Sequence, residues 1–265
     1  MLIYQVDAFA DQMFKGNPAG VCVLPPDKMK DDLLLQNIAM EMNLSETVFL
    51  SKQNEEYELR WFTPETEINF CGHATLAAAH ILWETGLEKT QDTIVFDTLS
   101  GKLFANYRHS KIELNFPLFD VTAIPDQENV NLALGIKPTF TGISQNKYLI
   151  EVETDAILKA VSPDYRQLKE IDCMAFMITC KSDDRNFDFY SRFFAPALGI
   201  DEDPVTGSSH SSLAPYWSKK LGKTKVIGYQ LSKRGGLLEC EVKPNNRVLV
   251  TGKAITVFKI TLMGQ

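Results

Sequence analysis

No CxxC pair and no HExxH or HxH motif occurs in this 265-residue chain, although it holds five cysteines and four histidines. Cys22, Cys71, Cys173, Cys180 and Cys240 are odd in number and irregular in spacing, which argues against a disulfide framework or a zinc knuckle. A reducing, cytoplasmic setting suits such cysteines, and without ligand spacing no protein-bound metal is expected. GxGxxG and GxxxxGK[ST] are also missing, so no nucleotide cofactor is expected. No apolar run reaches the roughly 18 residues that would span a bilayer, and Asp7, Asp11 and Lys15 interrupt any signal-like opening. Cations do not predominate. Lys and Arg number 27 against 34 Asp and Glu, a formal charge of −7, so neither nucleic acid nor anionic lipid meets a basic surface.

What the chain does contain is an ordinary globular composition, 45% apolar and 23% charged, enough to bury a real core. It also contains one internal repeat. Arg60-Trp61-Phe62-Thr63-Pro64 returns as Arg192-Phe193-Phe194-Ala195-Pro196, 132 residues later. Cys71-Gly72-His73-Ala74-Thr75 and Thr206-Gly207-Ser208-Ser209-His210 follow as a second pair, with Gly72 and Gly207 135 residues apart. Gly101 and Gly236 keep that offset of 135 ahead of β-rich stretches. Two anchors sharing one offset point to a duplication with three extra residues in the second copy.

In the first copy, strands are expected at residues 1–8 and 20–25, with a turn at Gly16-Asn17-Pro18-Ala19-Gly20 between them. Leu34, Ile38 and Met42 have helical spacing over 31–42. Residues 46–50 and 57–63 read as strands, and 72–86 as a mostly apolar, buried helix closed by Gly86. Strands at 93–97, 101–107 and 111–116 complete the half. The fold class is therefore α+β: two pseudo-symmetric halves, each a bent, mostly antiparallel sheet around a central helix. The half-domains are expected at 1–117 and 126–265, with a linker from Pro117 to about Pro125 and the site in the cleft between them.

Both repeated glycines stand at expected helix starts, where first-turn N–H groups lack intrahelical partners and the helix dipole is positive. Glycine also lets a ligand approach the backbone closely. A carboxylate, or an oxyanion forming beside one, is the natural guest of Gly72-His73-Ala74 and Gly207-Ser208-Ser209. Plain capping by Ser208 and close packing at glycine explain either motif taken alone.

Asn43-Leu44-Ser45-Glu46-Thr47-Val48-Phe49, Asn69-Phe70-Cys71-Gly72-His73-Ala74-Thr75 and Glu202-Asp203-Pro204-Val205-Thr206-Gly207-Ser208, in that order, resemble motifs of the PhzF, or phenazine biosynthesis-like, family. Asp7-Ala8-Phe9 and Gly16-Asn17-Pro18-Ala19-Gly20 fit it as well, so the resemblance spans nearly the whole chain. It implies a diaminopimelate-epimerase-like fold, cofactor-free isomerase chemistry on a small carboxylate-bearing substrate, and a homodimer. Glu46 matches the family's acid/base carboxylate, and His73, Asp203 and Ser208 match polar residues around the substrate. A carboxylate in a partly closed cleft suits proton pick-up and delivery. His73 has two readings, as a donor to the substrate carboxylate or as a proton carrier. Asp203 would orient His73 or a substrate amine. Arg60 and Arg192, being repeated, read as structural.

Epimerases of this fold use one cysteine from each half. Here Cys71 is present, but its counterpart is Thr206, a hydroxyl with no evident activating base. Two alternatives to the isomerase stand beside it: a racemase pairing Glu46 with Cys71, and a catalytically silent small-molecule binding protein.

Overall fold

The computed structural model describes residues 1–263. They form two compact units, one of Met1–Phe116 with the chain from Val250 onward, the other of Pro117–Leu249.

The first unit opens with β1 (Leu2–Ala8), β2 (Asn17–Val23), α1 (Asp32–Met42), β3 (Glu46–Gln53) and β4 (Glu56–Phe62). It continues through β5 (Glu67–Ile68), α2 (Gly72–Glu84), β6 (Ile94–Asp97), β7 (Leu103–Arg108) and β8 (Lys111–Pro117). Asp31 starts α1 by accepting the Leu34 N–H at 3.0 Å, and Asn43 ends it in the left-handed region at φ 49°. Leu35, Ile38 and Ala39 of α1 pack on Ile3, Cys22, Phe49 and Phe62 of the sheet. On α2 every residue except His80 and Glu84 is buried, so the helix is enclosed on nearly all sides. Its run of small residues, Ala77-Ala78-Ala79, lets it lie close to β1, β2 and β3.

The second unit holds β9 (Thr122–Ala123), α3 (Glu128–Leu134), β10 (Phe140–Ser144), β11 (Lys147–Glu151), α4 (Asp155–Ala160) and α5 (Tyr165–Lys169). Then come β12 (Ala175–Lys181), β13 (Phe189–Phe194), α6 (His210–Leu221), β14 (Lys225–Gln230) and β15 (Gly236–Lys243). β16 (Arg247–Gly252) carries the chain back to the first unit, where β17 (Ala254–Thr261) pairs with β1.

The duplication is explicit in the pairing. Along β17-β1-β2-β3-β4-β6-β7 the pairs run antiparallel, antiparallel, parallel, antiparallel, parallel, antiparallel. Along β9-β10-β11-β12-β13-β14-β15 the same sequence of senses recurs. The repeated arginines are structural counterparts too. Arg60 forks onto Glu67 at 2.7 Å through both nitrogens and donates to the Met29 carbonyl at 2.7 Å. Arg192 forks onto Glu202 at 2.7 and 3.0 Å and donates to the Val161 carbonyl at 2.7 Å. Each guanidinium also lies over the phenylalanine two residues on, Phe62 or Phe194. The three extra residues of the second copy fall in the loop containing the 3-10 turn Pro196–Leu198.

The structure corrects the expected boundaries of 1–117 and 126–265. Residues 117–125 are not a linker, because β9 lies within them and adds to β10. The last strand belongs with the first unit, because β17 supplies the partner that β1 needs on its outer side. The expected turn at 16–20 is likewise shorter. The chain reverses over residues 9–16, and of the expected turn only Gly16 lies outside the strands, at φ +66°, where an added Cβ would meet the Ala8 carbonyl oxygen at 2.1 Å. Asn17 already stands opposite Ala8 in the β1–β2 ladder.

Candidate active site

Two local features of the first unit converge on one buried group. Parallel pairing sets Ala19 of β2 beside Glu46, the first residue of β3, which brings Asn17 near Ser45 and Glu46. Cys71, extended at φ −143°, is the N-cap of α2, so His73 stands in that helix's first turn. Glu46 Oε2 lies 3.1 Å from His73 Nε2, with both side chains more than nine-tenths buried. On the ring's other side, His73 Nδ1 lies 3.1 Å from Asn17 Nδ2 and 3.4 Å from Cys71 Sγ. Ser45 Oγ stands 3.2 Å from Asn17 Oδ1.

Glu46 and His73 are close enough to form an ion pair, yet neither Oε2 nor Nε2 has a well-directed hydrogen bond among the described residues. Buried polar atoms are rarely left so, which sets this pair apart from the packed side chains around it. Burial presses His73 toward its neutral form. The Glu46 carboxylate, together with the hydrogen-bonding contact to the Cys71 sulfur, opposes it and prevails, holding the imidazole well above its ordinary range. The Cys71 thiol is itself pushed up, by burial first and then by Glu46. It is a poor thiolate.

The ligand-type atoms of Glu46, Cys71 and His73 lie within 4.8 Å of one another, a spacing that invites a metal-site reading. Their order argues against it. The sulfur faces Nδ1 and the carboxylate faces Nε2, so no single ring nitrogen is turned to both other donors. The set is a chain of polar contacts, not a chelate.

In the second unit, Asp203 is buried and accepts a hydrogen bond from the Thr206 hydroxyl. Gln230 holds that loop, donating to the Asp203 carbonyl at 2.7 Å and accepting the Thr206 N–H at 2.9 Å. Gly207 does not open an α-helix as expected. It begins a 3-10 turn, Gly207–Ser209, and α6 starts only at His210, because the loop enters through three tighter residues. Ser208 is not the cap of either segment: Thr206 and Ser209 hold those places, without side-chain capping bonds. Ser208 is partly exposed, while Gly72, His73, Asp203 and Gly207 are buried.

The ladders identify the counterparts residue by residue. Thr47 pairs with Phe62 as Phe176 pairs with Phe194, which sets Ala175 where the first unit has Glu46. By the 135-residue offset, Thr206 stands for Cys71 and Ser208 for His73. Among these positions only the first unit carries an acid and an imidazole. Asn17, Ser45 and Gln230 received no role from the sequence. The first two lie inside motifs quoted above, which was the available signal, whereas nothing local distinguishes Gln230.

Residues 6–260 match the family model described as phenazine biosynthesis-like protein. An uncharacterized isomerase of Halalkalibacterium halodurans is 48% identical over 266 residues, covering 98% of each chain. The crystal structure of a PhzF-family phenazine biosynthesis protein from Enterococcus faecalis has a TM-score of 0.92 at 41% identity, covering 97% of both chains. A hydroxyproline epimerase from Agrobacterium vitis, 11% identical, matches 98% of this chain and 91% of its own with a TM-score of 0.62, a likeness of fold alone. The fold is thus the diaminopimelate-epimerase-like one expected from sequence, and the relatives' names support an isomerase-type enzyme. The chain belongs to the phenazine biosynthesis-like, or PhzF, family.

Proposed function

We propose that this chain is a cofactor-independent isomerase that moves a proton on a small carboxylate-bearing molecule, with Glu46 as the acid/base group. The observation that carries the proposal is the buried pair of Glu46 Oε2 and His73 Nε2, 3.1 Å apart and lacking well-directed hydrogen bonds. Glu46 would take a proton from an activated carbon and return it at another position, while His73 stabilises the carboxylate or the charge forming on the substrate. The amides of Gly72 and His73, at the positive end of α2, would bind the substrate carboxylate. Asp203, Gly207 and Ser208 are proposed as further substrate-binding groups.

A racemase working through Cys71 has less support. Its thiol is pushed up by burial and by Glu46, and the corresponding residue in the repeat is Thr206. One acid/base set, with Ala175 where Glu46 would be repeated, favours a single carboxylate shuttling a proton over two bases facing each other.

The test is deuterium exchange. A panel of small unsaturated and amino-substituted carboxylates is incubated with the protein in heavy water and examined by NMR for label at carbon. Label entering one or more compounds with the wild type, but not with Glu46→Gln, supports the proposal. Equal labelling by both proteins overturns Glu46 as the base.

A further inference from the structure

The amide of Asn17 stands between two groups that can each act as donor or acceptor. Asn17 is fully buried, with Nδ2 at 3.1 Å from His73 Nδ1 and Oδ1 at 3.2 Å from Ser45 Oγ. As placed, the amide N–H donates to a bare Nδ1, and the Ser45 hydroxyl donates to the amide oxygen. A neutral ring held this way carries its proton on Nε2, toward Glu46. The imidazolium has a proton on Nδ1 as well, and that proton would meet an N–H head on. An amide turned over about its last torsion has nearly the same shape and offers its oxygen to Nδ1. Ser45 can then accept the amide N–H, because a hydroxyl serves in both directions.

We propose that Asn17 is a positioning residue that turns over as His73 changes charge and thereby sets its role. With the nitrogen of Asn17 facing the ring, His73 is a fixed Nε2–H donor. With the oxygen facing it, His73 is an imidazolium whose Nε2 proton can pass to a neighbouring base, leaving a neutral ring protonated on Nδ1. Sequence left these two roles for His73 open, and Asn17 supplies the means of choosing between them. The titratable groups acting on the ring are Glu46, at the start of β3, and Cys71, at the start of α2. Glu46 faces the ring's other nitrogen, and the Cys71 sulfur, 3.4 Å from the same Nδ1, offers only the weaker donor and acceptor of a thiol, whereas the Asn17 amide presents a strong group of either kind.

The significance for catalysis rests on the proposed role of Glu46, but the test is read on the free protein and needs no substrate. Protein labelled with 15N at histidine and at asparagine side chains is titrated by NMR. Glu46→Gln serves as the background, since it removes the carboxylate that holds His73 charged and brings the neutral ring within reach. The neutral ring should carry its proton on Nε2, and the Asn17 amide signals should move with the His73 midpoint. Adding Asn17→Asp, which can only accept at neutral pH and above, should move the neutral-state proton to Nδ1 and raise the midpoint by at least one pH unit. Ser45→Ala, at a partly exposed position, should keep the fold and leave a mixture of the two tautomers. Asn17 signals that ignore the His73 titration would overturn the inference. So would a neutral ring already protonated on Nδ1, or a tautomer unchanged by both substitutions. Labelling of substrate carbon that persists in Glu46→Gln would instead remove the catalytic reading and leave the tautomer result standing.

Discussion

His73 and His210 are both buried near the start of a central helix, two positions apart in the frame of the repeat, and they face opposite surroundings. His73 stands within 3.4 Å of a carboxylate oxygen, an amide and a thiol. His210 takes the place of Thr75, and its Nδ1 lies 3.0 Å from the Thr206 carbonyl, much as the Thr75 hydroxyl donates to the Cys71 carbonyl at 2.6 Å. Its Nε2 finds no hydrogen-bond partner among the described residues. Phe189 packs beside that ring, and Gly228 leaves so little room that an added Cβ would come within 3.0 Å of Nε2. Burial therefore pushes His210 down to about 4, whereas the groups around His73 hold it up. Duplication supplied the same scaffold twice. Of the two buried histidines, only His73 has a carboxylate acting on it.

The comparison breaks most visibly at Glu46. Glu46→Gln should lower any Glu46-dependent proton exchange by about 10²- to 10⁴-fold, the usual contribution of a general acid or base. The substitution Ala175→Glu, at the counterpart position, should not restore it, since Ser208 stands there in place of His73. Exchange rates in heavy water measure both.

The next effect is on stability against pH. His210 has a folded-state value of about 4, below the 6.5 of a free histidine, so the unfolded chain takes up its proton first. Its contribution is whole above about pH 6.5 and is lost as pH falls toward 4, by up to about 3 kcal/mol. His73 has the opposite sign. Its folded-state value is raised, so its contribution is whole below pH 6.5 and is lost as pH climbs through that higher value. Urea unfolding across pH should show His210→Gln flattening the acid limb and His73→Gln the alkaline limb.

Where the two units agree, matched substitutions should agree as well. Arg60→Ala and Arg192→Ala each strand a glutamate and a carbonyl, and each should cost about 2 kcal/mol in urea unfolding. A large loss for one and none for the other would break the equivalence. The smallest effect is expected from Cys71→Ser, which should leave proton exchange within about threefold because the buried thiol is a poor base. Abolition of exchange would favour the racemase.

Much of this contrast was legible in the sequence because it is local. The R-x-F-x-P repeat, the glycine at the start of α2 and the change of offset from 132 to 135 lie within short windows. Glu46 and His73 were readable only through family motifs, since a glutamate opening a strand is ordinary and their meeting depends on β3 lying beside the start of α2. The end of each half was misread for the same reason. Nothing in residues 117–125 or 250–261 says which sheet those strands will join, because their partners, β10 and β1, are distant or set by other strands. Gly207 illustrates a finer limit. A glycine before an apolar stretch signals a helix start, but not whether the first turn is 3-10 or α.

The most direct measurement is an NMR titration of both buried histidines in one 15N-histidine sample. The contrast predicts that His73 remains protonated well above pH 6.5 and that His210 stays neutral down to about pH 4. His73 neutral at pH 6, or the two rings titrating together near 6.5, would contradict it.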